Sequence, residues 1–399
     1  MSLLVGWIQT NFSELVEDMK RSTHHYDYKN LNPYHLEGDV WTHTMMVYNE
    51  AKRISKSNNV HLAALLHDIG KPTSRFTKTD GEINKCAFYS HENISTYLAV
   101  PLLLNLKKVH PEFEFDLKEV LLLINWHSDF HGIGKVNDSG VLNLSNKDTK
   151  LLNDKYGYKF KYLNDKYKDS PSLLERAIMD DLQFYYDMID LNEADNNGRI
   201  TLNSDDQGSK DKFELLRNYI PVNYNTEINY ENDTRPEAII LSGVPNGGKS
   251  TLIKELLKEK DYVILSTDNL IMEKYPDLDY NNAYARVQEK GIFSSLEIEM
   301  DRQLKEACKE RKNIILDRTN LTKKVRRKWF NKVPDKYYLK RSINFIMSEE
   351  LMNKRNKERT KIGKTIPDKS LKDMLKRFIL PGTDEFEVVE YILSDLQEN

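Results

Sequence analysis

Residues 238–251 read Ala-Ile-Ile-Leu-Ser-Gly-Val-Pro-Asn-Gly-Gly-Lys-Ser-Thr. A β-branched run enters this stretch and the helical pattern TLIKELLKE leaves it, so a strand is expected to turn through a glycine-rich loop into a helix. From Gly243 to Ser250 the loop matches G-x-x-x-x-G-K-S. In such a loop the backbone of Gly243, Val244, Pro245, Asn246, Gly247 and Gly248 wraps a chain of phosphates at a helix N-terminus. Lys249 reaches the terminal phosphates, and Ser250, followed by Thr251, supplies a hydroxyl for Mg²⁺. The expected cofactor is ATP, or another nucleoside triphosphate, with Mg²⁺. A chance glycine-rich turn is the alternative, and the flanking strand and helix weigh against it.

Further short β-branched runs follow: YVILS, NIILD and SINFIM, separated by helical patterns. Strands alternating with helices argue for a parallel α/β sheet. YVILS ends at Thr267-Asp268, 19 residues past Lys249. A carboxylate at that sheet edge suits a general base for an attacking hydroxyl, while a helix N-cap is the plainer role. NIILD delivers Asp317-Arg318-Thr319-Asn320 to the same edge. Arg355 and Arg359 stand at i,i+4 just before a Gly/Lys loop, on one helical face. They either close over a transferring phosphate or belong to a solvated charged face.

The first 200 residues read almost wholly as helices, among them THTMMVYNEAKRIS, VHLAALLHDIG, LKEVLLLINWH and one long LLERAIMDDLQFYYDMIDLNEAD. Residues 131–170 read as a loop with short helical pieces. Adjacent His67-Asp68 ends an apolar helix, and His43, His91, His127 and Asp195 follow or precede it near other helix ends or faces. Imidazole with carboxylate suits a borderline or hard divalent cation. His91 and His127 also fit as core or surface histidines. Residues 1–220 and 237–399 are expected as two domains with a linker at 221–236.

A length of 399 residues is comfortable for two cores. The net charge of −3 hides an asymmetry. Residues 236–399 carry 32 Lys and Arg against 27 Asp and Glu, the remainder 27 against 35. A basic half suits a polyanion, and an acidic half suits carboxylates gathered around cations. Cys86 and Cys308 allow no disulfide framework or cysteine-based zinc site. No secretory leader or membrane-spanning stretch is apparent. A cytoplasmic protein without a membrane partner is therefore expected; its oligomeric state, a homo-oligomer included, is open.

The segments GVPNGGKST, STDNL, KGIF, DRTNL and RNKERTKIGKTIP…LKDMLKRF resemble the 5′-hydroxyl polynucleotide kinase family of phage and bacterial nucleic-acid repair. That resemblance implies Asp268 as general base, Lys249, Arg355 and Arg359 on the nucleotide phosphates, and Thr319, with Arg318 beside it, near the acceptor strand. One position departs: the family often has an arginine three residues after the catalytic aspartate, and this chain has Ile271. Lys274 or the run Lys323-Lys324-Arg326-Arg327-Lys328 is the substitute to consider, or else a solvated helix face.

GDVWTHT, LLHDIGKP, FYSHENIS, INWHSDF and LNEADNNGR resemble the HD superfamily of metal-dependent phosphohydrolases. The likeness implies His43, His67, Asp68 and Asp195 around one metal and His91 and His127 around a second, with Asp68 bridging. One or two divalent ions (Mn, Ni, Co, Fe or Zn) are implied, with Lys71 and Arg75 as candidates to hold the substrate phosphate. Together the halves resemble HD-type bifunctional end-healing enzymes. Their implied substrates are broken RNA or DNA strands, phosphorylated at the 5′-OH and relieved of 2′- or 2′,3′-cyclic phosphate, with a separate ligase downstream. Two other readings fit the same residues: an HD nucleotidase joined to a nucleoside or modified-base kinase, and a nucleic-acid-binding regulator with an inactive HD domain.

Overall fold

The computed structural model describes residues 2–80, 83–137, 139–202, 206–224, 233–359 and 365–397. The chain falls into two compact units, Met1–Glu227 and Ile228–Asn399. Most of the expected linker (225–232) and the loop after Arg359 (360–364) lie outside the described residues.

The N-terminal unit is helical. Its elements are α1 (Leu3–Asn11), α2 (Ser13–Arg21), α3 (Val40–Ile54), α4 (Asn58–Leu66), α5 (Lys71–Ser74), α6 (His91–Val109) and α7 (Leu117–Trp126). After these come α8 (Asn146–Leu151), α9 (Phe160–Tyr167), α10 (Pro171–Asp181), α11 (Gln183–Asn197) and α12 (Asp206–Asn218). From Leu62 to Leu66 every residue of α4 is buried, as a helix that is apolar all round requires. It packs against α3, α7 and α11, so its C-terminal end, His67-Asp68, is delivered to the middle of the bundle. Asp39 caps α3 by accepting from the Thr42 N–H at 2.8 Å, and Asp116 caps α7 in the same way.

Two expectations for this half are corrected. Residues 75–88 are not helical but form an antiparallel pair, β1 (Arg75–Asp80) with β2 (Ile83–Phe88), in register from Arg75–Phe88 to Asp80–Ile83. The Asp80-Gly81 dipeptide between the runs was the signal for a hairpin. The long helix expected over 173–195 is broken at Leu182. No residue of α10 is buried, whereas α11 buries Tyr185, Met188, Ile189 and Leu191. Turning the chain at the buried Leu182 lets one helix stay on the surface while the next faces the core.

The C-terminal unit is a parallel sheet of β3 (Glu237–Ser242), β4 (Tyr262–Ser266), β5 (Asn313–Asp317), β6 (Leu339–Ile346) and β7 (Val388–Leu393). The order is β7-β6-β3-β5-β4, and every neighbouring pair is parallel. The strand that feeds the glycine-rich loop is therefore central. Ala238 and Ile240 point into one apolar cluster and Ile239 and Leu241 into another. That alternation explains the unbroken apolar run of a strand covered on both faces. The covering helices are α13 (Lys249–Glu259), α14 (Thr267–Lys274), α15 (Tyr280–Glu289), α16 (Phe293–Lys309), α17 (Lys323–Phe330), α18 (Glu349–Arg359) and α19 (Asp368–Lys376). The carboxyl ends of β3, β4 and β5 gather the loop, Asp268 and Asp317 at one edge, where α/β folds place their ligands.

Candidate active sites

In the N-terminal unit the bundle brings all six expected ligand residues together. His43 comes from α3, His67 and Asp68 from the end of α4, His91 from the start of α6, His127 from the end of α7, and Asp195 from α11. Gly70 allows the approach of α6: a Cβ there would meet the His91 carbonyl oxygen at 2.5 Å and the Ser95 nitrogen at 2.7 Å. A side chain would push His91 away from Asp68.

Each of the four imidazoles has Nδ1 against a backbone carbonyl. The partners are Gly198 for His43 (3.1 Å), Ala64 for His67 (2.9 Å), Phe88 for His91 (2.8 Å) and Ile124 for His127 (2.7 Å). With Nδ1 donating, Nε2 is the atom left for a cation; those of His43, His67 and His91 face carboxylates. Asp68 is shared: Oδ2 lies 3.2 Å from His67 Nε2 and 3.5 Å from His43 Nε2, and Oδ1 lies 3.3 Å from His91 Nε2. Asp195 Oδ1 is 3.1 Å from His43 Nε2 and 3.9 Å from His67 Nε2. His91 and His127 meet Nε2 to Nε2 at 3.2 Å.

Two sets of donors result, His43–His67–Asp195 and Asp68–His91–His127, each compact enough for one cation. His67 Nε2 and Asp68 Oδ1 are buried without a hydrogen bond of good geometry, while Asp68 Oδ2 has its ion pair with Lys71. Orphaned polar atoms are costly in a protein interior, and divalent ions fit them. Burial alone would raise Asp68 and Asp195, but adjoining imidazoles hold both well below the usual carboxylate range, helped at Asp68 by Lys71. Burial and the neighbouring rings keep His127 neutral. The carboxylates of the set are thus held as anions, ready for a cation.

Around the ligands are two groups that pattern reading missed, Glu37 and His131, and two that it named, Lys71 and Arg75. Glu37 Oε1 lies 3.0 Å from His43 Nδ1 and 2.8 Å from His35 Nδ1. His131, half exposed, lies 3.1 Å from Asp195 Oδ2. Lys71 is buried, with its ammonium 2.6 Å from Asp68 Oδ2 and 3.2 Å from His24 Nε2. Arg75 is placed differently: its guanidinium donates to the carbonyls of Thr23 and His25 and braces that loop. Lys71, not Arg75, is the basic group set against the cluster.

In the C-terminal unit Asn246 and Gly248 adopt positive φ angles of 73° and 101°. At Gly243 a Cβ would meet the Phe345 carbonyl oxygen at 2.8 Å, so the loop lies flat on β6. Lys249 Nζ donates to the carbonyls of Gly243 (2.9 Å) and Val244 (2.8 Å), and desolvation draws its pKa down to about 8 against the pull of Asp317 and Asp268. The loop is also tied to the DRTN segment, because the Gly243 N–H donates to the Thr319 carbonyl at 2.9 Å. Ser250, exposed at the start of α13, follows directly.

Arg355 and Arg359 both reach the loop: Arg355 Nη1 donates to the Asn246 carbonyl at 2.8 Å and Arg359 Nη1 to Asn246 Oδ1 at 2.5 Å. This is not a solvated face. Asp268 is exposed at the sheet edge and accepts from the Tyr280 hydroxyl at 2.8 Å. The N-cap of α14 is Ser266, which accepts from the Asn269 N–H, so capping does not explain Asp268. Asp317 ends β5 in register with Ser266 of β4, and burial together with Asp268 raises its carboxyl. It was missed as a site residue although a carboxylate closing a β-branched run was its signal.

The basic run is largely spent. Arg326 is fully buried, bidentate to Glu385 and donating to the carbonyls of Asn320 and Ile379. Lys323 pairs with Asp384 and Lys328 with Glu297, leaving Lys324 and Arg327 exposed. Arg318 pairs with Glu297 at 3.4 Å. Ile271 has no exposed surface and belongs to the core beneath α14.

Comparison with known proteins agrees with this division. Residues 40–180 match the family model described as HD domain, and residues 239–381 match that described as AAA domain. The chain therefore carries an N-terminal HD domain and a C-terminal P-loop kinase-like domain. A divalent metal and ATP with Mg²⁺ are the cofactors these domains imply. Among solved structures, a "putative kinase" from Chloroflexus aurantiacus is 15% identical, covering 42% of this chain and 90% of its own, with a TM-score of 0.32. A gluconokinase from Sinorhizobium meliloti 1021 is 14% identical, covering 41% and 85%, with a TM-score of 0.27. No curated protein matches the chain. Among the described residues no helix is long and apolar enough to cross a membrane.

Proposed function

We propose that this chain is a bifunctional nucleic-acid end-healing enzyme that phosphorylates 5′-OH ends and removes 2′- or 2′,3′-cyclic phosphate from the opposite ends. The observation that carries the reading is the exposed Asp268 carboxylate at the sheet edge that holds the phosphate loop, in one chain with a shared-carboxylate histidine cluster. An acceptor strand can reach that open edge. In the kinase step Asp268 takes the proton as the hydroxyl oxygen bonds to the γ-phosphorus and the bond to the β-phosphate oxygen breaks. Lys249, Arg355 and Arg359 stabilise the charge on the transferring group, and Ser250 would hold Mg²⁺.

In the HD domain His43, His67, Asp68 and Asp195 would hold one cation, and His91, His127 and Asp68 another. Divalent ions there supply polarisation of the phosphoryl oxygens and a lowered pKa for water. Lys71 binds the substrate phosphate, and the buried imidazoles exclude bulk water from it. The two ends that result, 5′-phosphate and 3′-OH, are those a separate ligase requires. No membrane partner enters this scheme, and a cytoplasmic setting suits it.

The test is an RNA bearing 5′-OH and 2′,3′-cyclic phosphate ends, incubated with ATP and Mn²⁺. Both ends should change in the wild type. Asp268→Ala should abolish only the 5′ reaction and Asp68→Ala only the 3′ reaction. Phosphorylation of a free nucleoside but no oligonucleotide would instead establish a nucleotide-metabolism kinase.

A further inference from the structure

Helix α15 is fixed by Ala283 and Val287, both fully buried in the core beneath it. Tyr280 and Tyr284, one turn apart, lie along the same side of the helix as Ala283 and Val287 but are not in that buried set. Tyr280 donates its hydroxyl to Asp268 Oδ1 at 2.8 Å. Burial and the adjacent carboxylate push the Tyr280 phenol up, so it stays protonated and remains a donor. Two further rings follow Tyr280, the exposed Tyr284 and then Phe293, which is half-buried against the core. Tyr280 and Tyr284 have centroids 6.0 Å apart, and Tyr284 and Phe293 are 5.3 Å apart. Tyr284 is 41% exposed. An aromatic row thus starts at the proposed base and is open to solvent at Tyr284.

Single strands are bound by aromatic faces of this kind because every base has a π-face. A nucleoside kinase would enclose its one base, whereas an open row leaves room for the rest of a strand. Resting on the kinase reading above, the geometry points to the Tyr280–Tyr284–Phe293 row as the platform for the base of the acceptor's 5′-terminal nucleotide. Tyr280 positions one oxygen of Asp268, leaving the other for the incoming hydroxyl, while the base lies on the exposed face of Tyr284. The chemistry is unchanged: the proton goes to Asp268, the new O–P bond forms and ADP leaves.

The experiment measures kcat and KM with ATP for a 5′-OH oligonucleotide and for the same strand with an abasic first nucleotide. The full chain is compared with Tyr284→Ala, Tyr284→Phe and Tyr280→Phe. Wild type and Tyr284→Phe should both show a KM roughly tenfold or more higher for the abasic strand, given the energy of one stacked base. Tyr284→Ala should erase that ratio by raising KM for the intact strand, with kcat held within about twofold. Tyr280→Phe should lower kcat severalfold with KM for the intact strand held within about twofold, because Asp268 loses the hydroxyl that positions it. Equal KM values for both strands in the wild type, or a ratio that survives in Tyr284→Ala, overturns the stacking platform alone. A wild type that phosphorylates no oligonucleotide overturns the platform and the kinase reading together.

Discussion

His91 Nε2 lies 3.3 Å from Oδ1 of Asp68, while the other oxygen of that carboxylate faces His67 Nε2 at 3.2 Å. One side chain thus belongs to both halves of the histidine cluster. The consequence is a difference in metal stoichiometry between two substitutions. Asp68→Ala removes the shared ligand and should leave close to no bound metal, whereas His91→Ala damages one half only. Protein purified from Mn²⁺-supplemented medium and analysed by elemental mass spectrometry should carry about two ions as wild type and about one as His91→Ala. Equal metal in both variants would remove Asp68 from its bridging place.

Glu37 makes a second prediction because its role is to hold a ligand rather than to be one. Its carboxylate sits 3.0 Å from His43 Nδ1 and fixes the ring with Nε2 toward Asp195. Its hydrogen bonds to the Asp195 and Glu37 carboxylates outweigh burial and raise His43 to about 9, so a cation bound at Nε2 displaces a proton. Glu37→Gln retains the shape and weakens that support. Metal affinity should fall by about 10- to 100-fold, as for other outer-shell partners, with ATP phosphoryl transfer at the other domain unaltered. Competition with a chromogenic chelator reads the affinity directly.

These residues also show where pattern reading stops. The phosphate loop and the His67-Asp68 pair were legible because each is a short local signal with its own flanking elements. Their partners join across the chain: Glu37 meets His43 within one turn region, but Asp195 reaches the same ring from 152 residues away. Glu37 and Tyr280 carry no spacing that marks them, since one is an ordinary loop acid and the other an ordinary helix tyrosine. Arg326 shows the opposite error. In sequence it belongs to a basic run suited to a polyanion, yet its guanidinium is buried and spent on Glu385 and two carbonyls. The hairpin at 75–88 was short enough to be lost between stronger helical patterns.

Lys249 predicts a pH dependence whose sign follows from its environment. Desolvation lowers it from 10.5 to about 8, so the folded protein releases a proton that the unfolded chain still holds between those values. Stability conferred by the wild-type residue must therefore rise with pH across that window and be lowest below it. Relative to Lys249→Met, wild type should gain up to about 3 kcal/mol between pH 8 and 10.5, the equivalent of the full shift. Chemical denaturation of both proteins at several pH values measures the gap. In the same window ATP affinity of the wild type should weaken, because the neutral amine no longer pairs with phosphate.

Ile271 supports the last prediction, since it stands where the resembling kinases often carry an acceptor-binding arginine. The side chain has no exposed surface and packs in the core with Ala283, Val287 and Met300. An arginine there would bury a charge with no partner. Ile271→Arg should cost roughly 4 kcal/mol or more, seen as a large fall in the melting temperature of the C-terminal unit. Lys274→Arg, three residues on and exposed, should leave that temperature unchanged. If Ile271→Arg instead folded normally and bound 3′-phosphorylated acceptors more tightly, the position would face the substrate. The packing predicts the reverse: at this position of α14 the side chain serves the core and does not face a substrate.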